Sequence, residues 1–206
     1  HLAALGEHQR GAARGASELI YVTVSTGIGA GLILGGELYA GAHGIAGEVG
    51  HIVVQRDGPL CTCGNRGCVE AIASGTGIGR AARELAPASP SSALHGLESP
   101  AAEDVARAAR AGDVLATAIL ENAGAYLGIA IGTLVNLFNP QLIVLGGSVL
   151  KAGAPLLRPM RKSMNASSWK ASRRGLRIVP PALGDDAGLI GAVEFARLHA
   201  RHARSA

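Results

Sequence analysis

Three cysteines stand within eight residues, Cys61-Thr62-Cys63-Gly64-Asn65-Arg66-Gly67-Cys68, and they are all the thiols of this 206-residue chain. An odd, clustered set builds no disulfide framework and is the pattern of a metal site. Three thiolates leave a tetrahedral zinc one ligand short, and His51, at the start of the segment that feeds the loop, is the nearest candidate for the fourth. Gly64 and Gly67 let the loop fold back so that Cys68 reaches the ion held by Cys61 and Cys63. The spacing predicts one structural zinc with ligands His51, Cys61, Cys63 and Cys68. Without metal, three partly exposed thiols in one loop are an oxidation liability.

Two other groups of residues carry chemistry. In Ser25-Thr26-Gly27-Ile28-Gly29-Ala30-Gly31, glycine amides beside two hydroxyls form an anion cradle for the distal phosphates of ATP, or else a tight hairpin that uses glycine for positive φ. Leu32-Ile33-Leu34-Gly35-Gly36 is a poor helix start, which argues against a dinucleotide fingerprint, and no G-x-x-x-x-G-K-[ST] occurs. The second group is Glu48, His51 and Glu70. A hexose presents hydroxyls that both donate and accept, and one carboxylate takes two of them at once. Zinc on one ring nitrogen of His51 would leave the other facing a sugar with its orientation fixed. By residue type alone, Glu70 also reads as a favourable charge at a helix start, and Glu48 as a loop carboxylate.

The elements that must position these groups follow from periodicity and breakers. A helix is predicted over 3–15, a strand over 18–25, and two short antiparallel strands over 26–39, together a β-meander. A glycine-rich loop over 41–47 leads to a strand over 49–54, then the cysteine loop, then helix over 69–86. Residues 87–100, rich in Pro, Ser and Ala, read as an exposed connection. A helix opens with Pro100 at its first position, and a long apolar one runs over 113–136 until Asn139-Pro140 stops it. The apolar strand 142–145 has the character of one covered on both faces. Helix 155–164, strand 176–179 and a terminal helix over 186–202 complete an α/β layered lobe.

Composition bounds the rest. Hydrophobic residues make up 48%, enough for a core, and 30 glycines without a collagen period exclude a fibrous chain. Glycines or charges interrupt the apolar runs below the ~18 residues of a membrane span, so a soluble protein with no membrane partner is expected. The N-terminus lacks the pattern of a signal peptide, which points to the cytoplasm. It also opens like a chain cut from something longer. The net charge is +4 from 19 basic and 15 acidic residues. The basic residues are spread along helical segments apart from a cluster from Arg158 to Arg177 and the tail Arg197, Arg201 and Arg204. Scattered aromatics offer no base-stacking platform, which argues against nucleic-acid binding by this segment.

Several motifs together resemble the ROK group, named for repressors, open reading frames and kinases. Val24-x-x-Gly27-Ile28-Gly29-x-Gly31-Leu32, Gly41, Gly47 and Gly50-His51 are similar to its signature. Glu48-Val49-Gly50-His51, followed by Cys61-x-Cys63-Gly64-x-x-Gly67-Cys68-x-Glu70, is similar to its sugar and zinc motif. The likeness extends through Asn139-Pro140 to Gly147 and over Gly184-Asp185-Asp186-Ala187-Gly188. It implies an actin-like, ribonuclease H-like sugar kinase fold, of which residues 1–206 would be the larger C-terminal lobe, the small N-terminal lobe being missing. It implies glucokinase-like phosphorylation of a hexose by ATP with Mg²⁺, sugar contacts from Glu48, His51 and Glu70, and phosphate contacts from Thr26 and Gly27. Gly146 and Gly147 would form the turn against which adenosine lies, and the protein would be a homodimer. The same motifs suit a sugar-sensing repressor, which would meet DNA only through an upstream helix-turn-helix. Leu2-Ala3-Ala4-Leu5-Gly6-Glu7 is similar to the segment after the family's Asn-Asp pair, so the catalytic base would lie two residues before His1 and no catalytic base would lie within the 206 residues. Gly77 and Gly79 depart from the family's helix-forming residues there.

Overall fold

The computed structural model describes residues 1–205. Strands β1 (Leu19–Val24), β2 (Ile28–Leu34), β3 (Glu37–Tyr39), β4 (Leu142–Gly146) and β5 (Arg177–Val179) form one sheet in the order β3-β2-β1-β4-β5. The first three are an antiparallel meander, with Val24 opposite Ile28 at the first turn and Leu34 opposite Glu37 at the second. β4 and β5 join in parallel, Leu19 standing beside Leu142 and Leu142 beside Arg177. Side chains alternate across the central strands because the strand period is two. Leu19, Tyr21, Leu142 and Val144 pack toward α1 (Leu2–Arg10), on which α7 (Ala187–Ser205) lies. Ile20, Val22, Val24, Ile143 and Leu145 face the larger core. That core is closed by α2 (Val69–Ala73), α3 (Gly75–Leu85), α4 (Ala102–Arg110), α5 (Val114–Phe138) and α6 (Ala154–Ser167).

α5 is long and apolar enough to cross a membrane, contrary to the expectation from its interrupting glycines, yet half of its most apolar window is buried inside the fold. Those glycines serve α6. At Gly124 and Gly128 a side chain would collide with the backbone carbonyls of Leu156 and Met160, so the two helices meet backbone to backbone.

Four further expectations are corrected. The first helix ends at Arg10 rather than at residue 15. There the buried Glu7 carboxylate turns back to accept the Ala12 amide at 2.7 Å, together with the amides of Ala182 at 3.1 Å and Leu183 at 2.8 Å. Residues 49–54 form no strand: Val49–His51 is one 3₁₀ turn, and only Val53 bridges, to Cys68. The chain cannot run extended there because Gly47 and Gly50 lie against the carbonyls of Ala30 and Ile28 on β2. The helix over 69–86 is broken at Ser74, whose hydroxyl accepts the Gly77 amide at 3.0 Å and starts α3 afresh. A side chain on Gly77 would stand 2.6 Å from the Ala71 carbonyl, so this glycine permits the break. Pro100 precedes the helix rather than opening it, since Asp104 accepts the Ala101 amide at 2.9 Å and fixes Ala101 as the cap of α4.

Asp113 caps α5 and ties down the connection before it. Its Oδ1 accepts from the Ala116 amide at 2.8 Å and the Ser92 hydroxyl at 3.0 Å, and its Oδ2 accepts from the Ala93 amide at 2.6 Å. These bonds, the Ala116 one first, hold its pKa below the ordinary 3.8. Stability from a depressed carboxylate is present above the unfolded value and lost as pH falls through the folded one. Asp113→Ala is expected to cost about 1–2 kcal/mol at pH 7 in urea melts. The gap should narrow as pH drops below 3.8.

Candidate functional site

The cysteine loop is a pair of tight turns. The Cys61 amide donates to Asn65 at 2.8 Å, the Gly64 amide donates back to Cys61 at 3.0 Å, and Leu60 bridges Arg66. Gly64 and Gly67 have φ of 92° and 73°, and Gly67 lies against the Gln55 carbonyl where no side chain fits. The result brings His51, Cys61, Cys63 and Cys68 together, one ligand atom from each lying within 4.8 Å of the others. His51 Nδ1 is 3.6 Å from Cys61 Sγ, and Cys63 Sγ is 3.6 Å from Cys68 Sγ. Zn–S bonds of about 2.3 Å require S···S edges of about 3.8 Å in a tetrahedron, so the donor set fits zinc in both kind and spacing. Burial, and then the neighbouring thiols, push the Cys68 thiol up to about 12, whereas the Asn65 amide draws Cys63 down. A divalent cation offsets the repulsion that opposes several thiolates in one loop.

The loop also places the helix after it. Cys68 is the N-cap of α2, which puts Glu70 in the first turn. Glu70 Oε2 accepts the Ile28 amide at 2.8 Å, at the start of β2. Side chains on Gly27 and Gly50 would stand 2.6 Å and 3.2 Å from that oxygen, so both glycines make room for the carboxylate. With Nδ1 toward Cys61, His51 turns Nε2 toward Glu48, 3.9 Å from Oε2. His1 lies in the same corner, near Glu48 and against Gly31 of β2.

The hydroxyl-bearing turn is fixed by the start of α3. The Gly75 amide donates to Ser25 at 2.7 Å, the Thr76 hydroxyl donates to the Thr26 carbonyl at 2.9 Å, and the Ser25 and Ser148 hydroxyls share a bond at 3.0 Å. Thr26 and Thr76 line both of two neighbouring cavities of about 290 Å³ each. One lies on the cysteine-loop side with Gly27, Thr62, Glu70 and Arg80, and the other is lined by Ser25, Thr76, Arg83, Glu103 and Ser148. The second shares Ala102, Glu103 and Ser148 with an apolar cavity of about 260 Å³ between α4 and α5, floored by Ile78, Ala106 and Leu120. Gly146 packs on the Tyr21 hydroxyl and Pro181, and Gly147, with φ of 108°, packs on Val24. Neither glycine lines these three cavities, whereas the adjacent Ser148 lines two. Arg83, Glu103 and Ser148 carried no motif in the sequence, and Thr76 entered only through the likeness of Ala73-Ser74-Gly75-Thr76 to the family's enzymes. The start of α3 that faces the turn shows only once the Ser74 hydroxyl is seen to accept the Gly77 amide.

A profile of the ROK family matches residues 1–198. The chain belongs to that family, and its sheet and helices have the fold of ROK sugar kinases. Among its relatives is the glucokinase of Halalkalibacterium halodurans, 40% identical over 93% of this chain and 59% of that protein. The N-acetylglucosamine repressor of Escherichia coli O6:H1 is 38% identical over 92% of this chain and 46% of its own. The crystal structure of a ROK glucokinase from Streptomyces griseus with glucose and AMPPNP superposes with a TM-score of 0.83 at 35% identity, covering 96% of this chain and 66% of that one. The chain thus spans about half to two thirds of the length of these relatives.

The purified protein is expected to hold one zinc per chain by elemental analysis. Cys68→Ser should lower that content well below one and lower the melting temperature, as should a strong chelator. Because thiolates bind metal in competition with protons, zinc should be released on acidification. Full folding and stability without metal would refute the assignment.

Proposed function

We propose that these residues are the sugar-, zinc- and nucleotide-binding C-terminal lobe of an ATP-dependent hexose kinase. The observation that carries this reading is the position of the Thr26 turn, between Glu70 on one side and the continuous groove at Ser148, Glu103 and Ala106 on the other. A phosphoryl acceptor beside Glu70 and a triphosphate along that groove would meet at Thr26 and Gly27. Glu48, His51 and Glu70 bind and orient the hexose, and His51 is held by its metal-side nitrogen. Thr26 and Gly27 contact the distal phosphates of ATP, which enters with Mg²⁺, while the apolar cavity past Ser148 takes the base near the Gly146-Gly147 turn. Zinc held by His51, Cys61, Cys63 and Cys68 would stiffen the loop that aims His51 and Glu70. A cytoplasmic, homodimeric protein is part of this reading.

Phosphoryl transfer is mostly positioning and electrostatics, and a general base adds about 10²–10⁴ in rate. The base is assigned to the residues preceding His1, which would enter the lobe beside Glu48. The second reading, the sugar-sensing domain of a repressor, is favoured by the 38% identity to the N-acetylglucosamine repressor. It requires the sugar corner but no nucleotide groove.

Coupled ADP-release assays over a panel of hexoses are expected to show negligible turnover for residues 1–206 and substantial turnover for a chain extended upstream through the first lobe. Equal turnover would place the base within these residues. Saturable AMPPNP binding by calorimetry favours the kinase; sugar binding without nucleotide binding favours the repressor. In the extended chain, Glu70→Ala should weaken hexose binding about tenfold or more, as expected for losing charge-assisted bonds to hydroxyls. Unchanged hexose affinity would remove Glu70 from the site.

A further inference from the structure

Residues 122–184 contain eight lysines and arginines and no aspartate or glutamate. This stretch carries +8 in a chain of net +4, so the remainder is net acidic. Two of these cations, Arg161 and Arg173, meet at one cavity beside the C-terminal half of α6. Arg158, Arg161 and Asn165 share one face of that helix at i, i+3 and i+7, and the turn after α6 brings Arg173 back to Asn165. Arg173 Nη1 donates to the Asn165 carbonyl at 2.6 Å and to its Oδ1 at 2.8 Å. The guanidinium is thus oriented by neutral oxygens. Between Arg161 and Arg173 lies a cavity of about 180 Å³, walled by Asn165 and floored by Met164, Leu176 and Ile178. Among the described residues, neither arginine has a carboxylate within ion-pair distance.

We propose that this cavity binds a small phosphate monoester, its phosphate held by Arg161 and Arg173 and its carbon portion resting on Met164, Leu176 and Ile178. Guanidinium forks match phosphate oxygens two at a time. The anchoring of Arg173 on Asn165 reduces the ordering that binding requires. The volume lies below the ~300 Å³ at which pockets for larger organic ligands begin, so the ligand is a phosphate with a short carbon skeleton. A nucleic-acid backbone meets cations along a face and has no use for an apolar-floored cavity. The site is separate from the Thr26 groove, with which it shares no lining residue.

The test is titration of the 206-residue protein with inorganic phosphate and with phenyl phosphate, followed by the side-chain Nε–Hε NMR signals of its arginines. The Arg161 and Arg173 signals should shift saturably, and the apolar floor should make phenyl phosphate the tighter ligand. Arg161→Gln, on an exposed side chain, should weaken binding about tenfold or more, as for loss of a charged hydrogen-bonding partner. Arg158→Gln, outside the cavity, should change it less than about twofold. Melting temperatures of both variants separate loss of the site from loss of fold. Shifts confined to the Thr26 and Thr76 amides would overturn the proposal. So would equal losses from the two variants together with tighter binding of a single-stranded oligonucleotide than of either phosphate.

Discussion

The Glu70 carboxylate is shared between a helix started by the cysteine loop and a turn made by the first hairpin. Its bond to the Ile28 amide, at 2.8 Å, ties together segments 42 residues apart. Hydrogen bonds to charged groups contribute about 1.5–3 kcal/mol, more than a neutral backbone bond. The contact exists only because Gly27 and Gly50 carry no side chain where the carboxylate lies. A path of direct contacts therefore runs from the cluster of His51, Cys61, Cys63 and Cys68 through Cys68 and α2 to Glu70, and from Glu70 to the turn at Thr26. In the kinase reading we propose, sugar-side and phosphate-side residues are positioned by the same carboxylate.

The remaining architecture keeps the two ends of that path at a fixed separation. β1 carries the Thr26 turn at its C-terminal end and pairs with β4, which ends at Gly146 beside Ser148. Ligand sites of open sheets commonly lie at such strand ends. Behind them, α5 and α6 approach through glycines, so close backbone contact adds to the buried side chains that hold the helical layer. On the opposite face, Glu7 ties α1 to the loop before α7, using a buried carboxylate with three amide donors.

The part of the structure legible in the sequence came from local spacing. The three cysteines and His51 lie within eighteen residues and Glu70 two further on, so a compact loop must bring their chemistry together. The meander and the buried strand at 142–145 were legible because β-branched and apolar runs are bounded by glycine pairs. The break at Ser74 was not, since serine is unremarkable by propensity until its hydroxyl is seen to cap Gly77. Residues 49–54 have strand-like composition, yet their backbone is turned by tertiary packing of Gly47 and Gly50 on β2. Thr76, Glu103 and Ser148 come from three distant segments and meet only through the helical layer, which no short motif encodes.

The central claim is that the metal loop positions the phosphate turn through Glu70, and hydrogen exchange at the Ile28 amide tests it most directly. That amide donates to Glu70, whereas the Gly31 amide, opposite Tyr21, belongs to the interior of the β1–β2 ladder and serves as the reference. The account predicts slow exchange at Ile28 in zinc-loaded protein. It also predicts acceleration on metal removal and in Glu70→Ala, with Gly31 still protected. Ile28 exchange unchanged by either perturbation would contradict it.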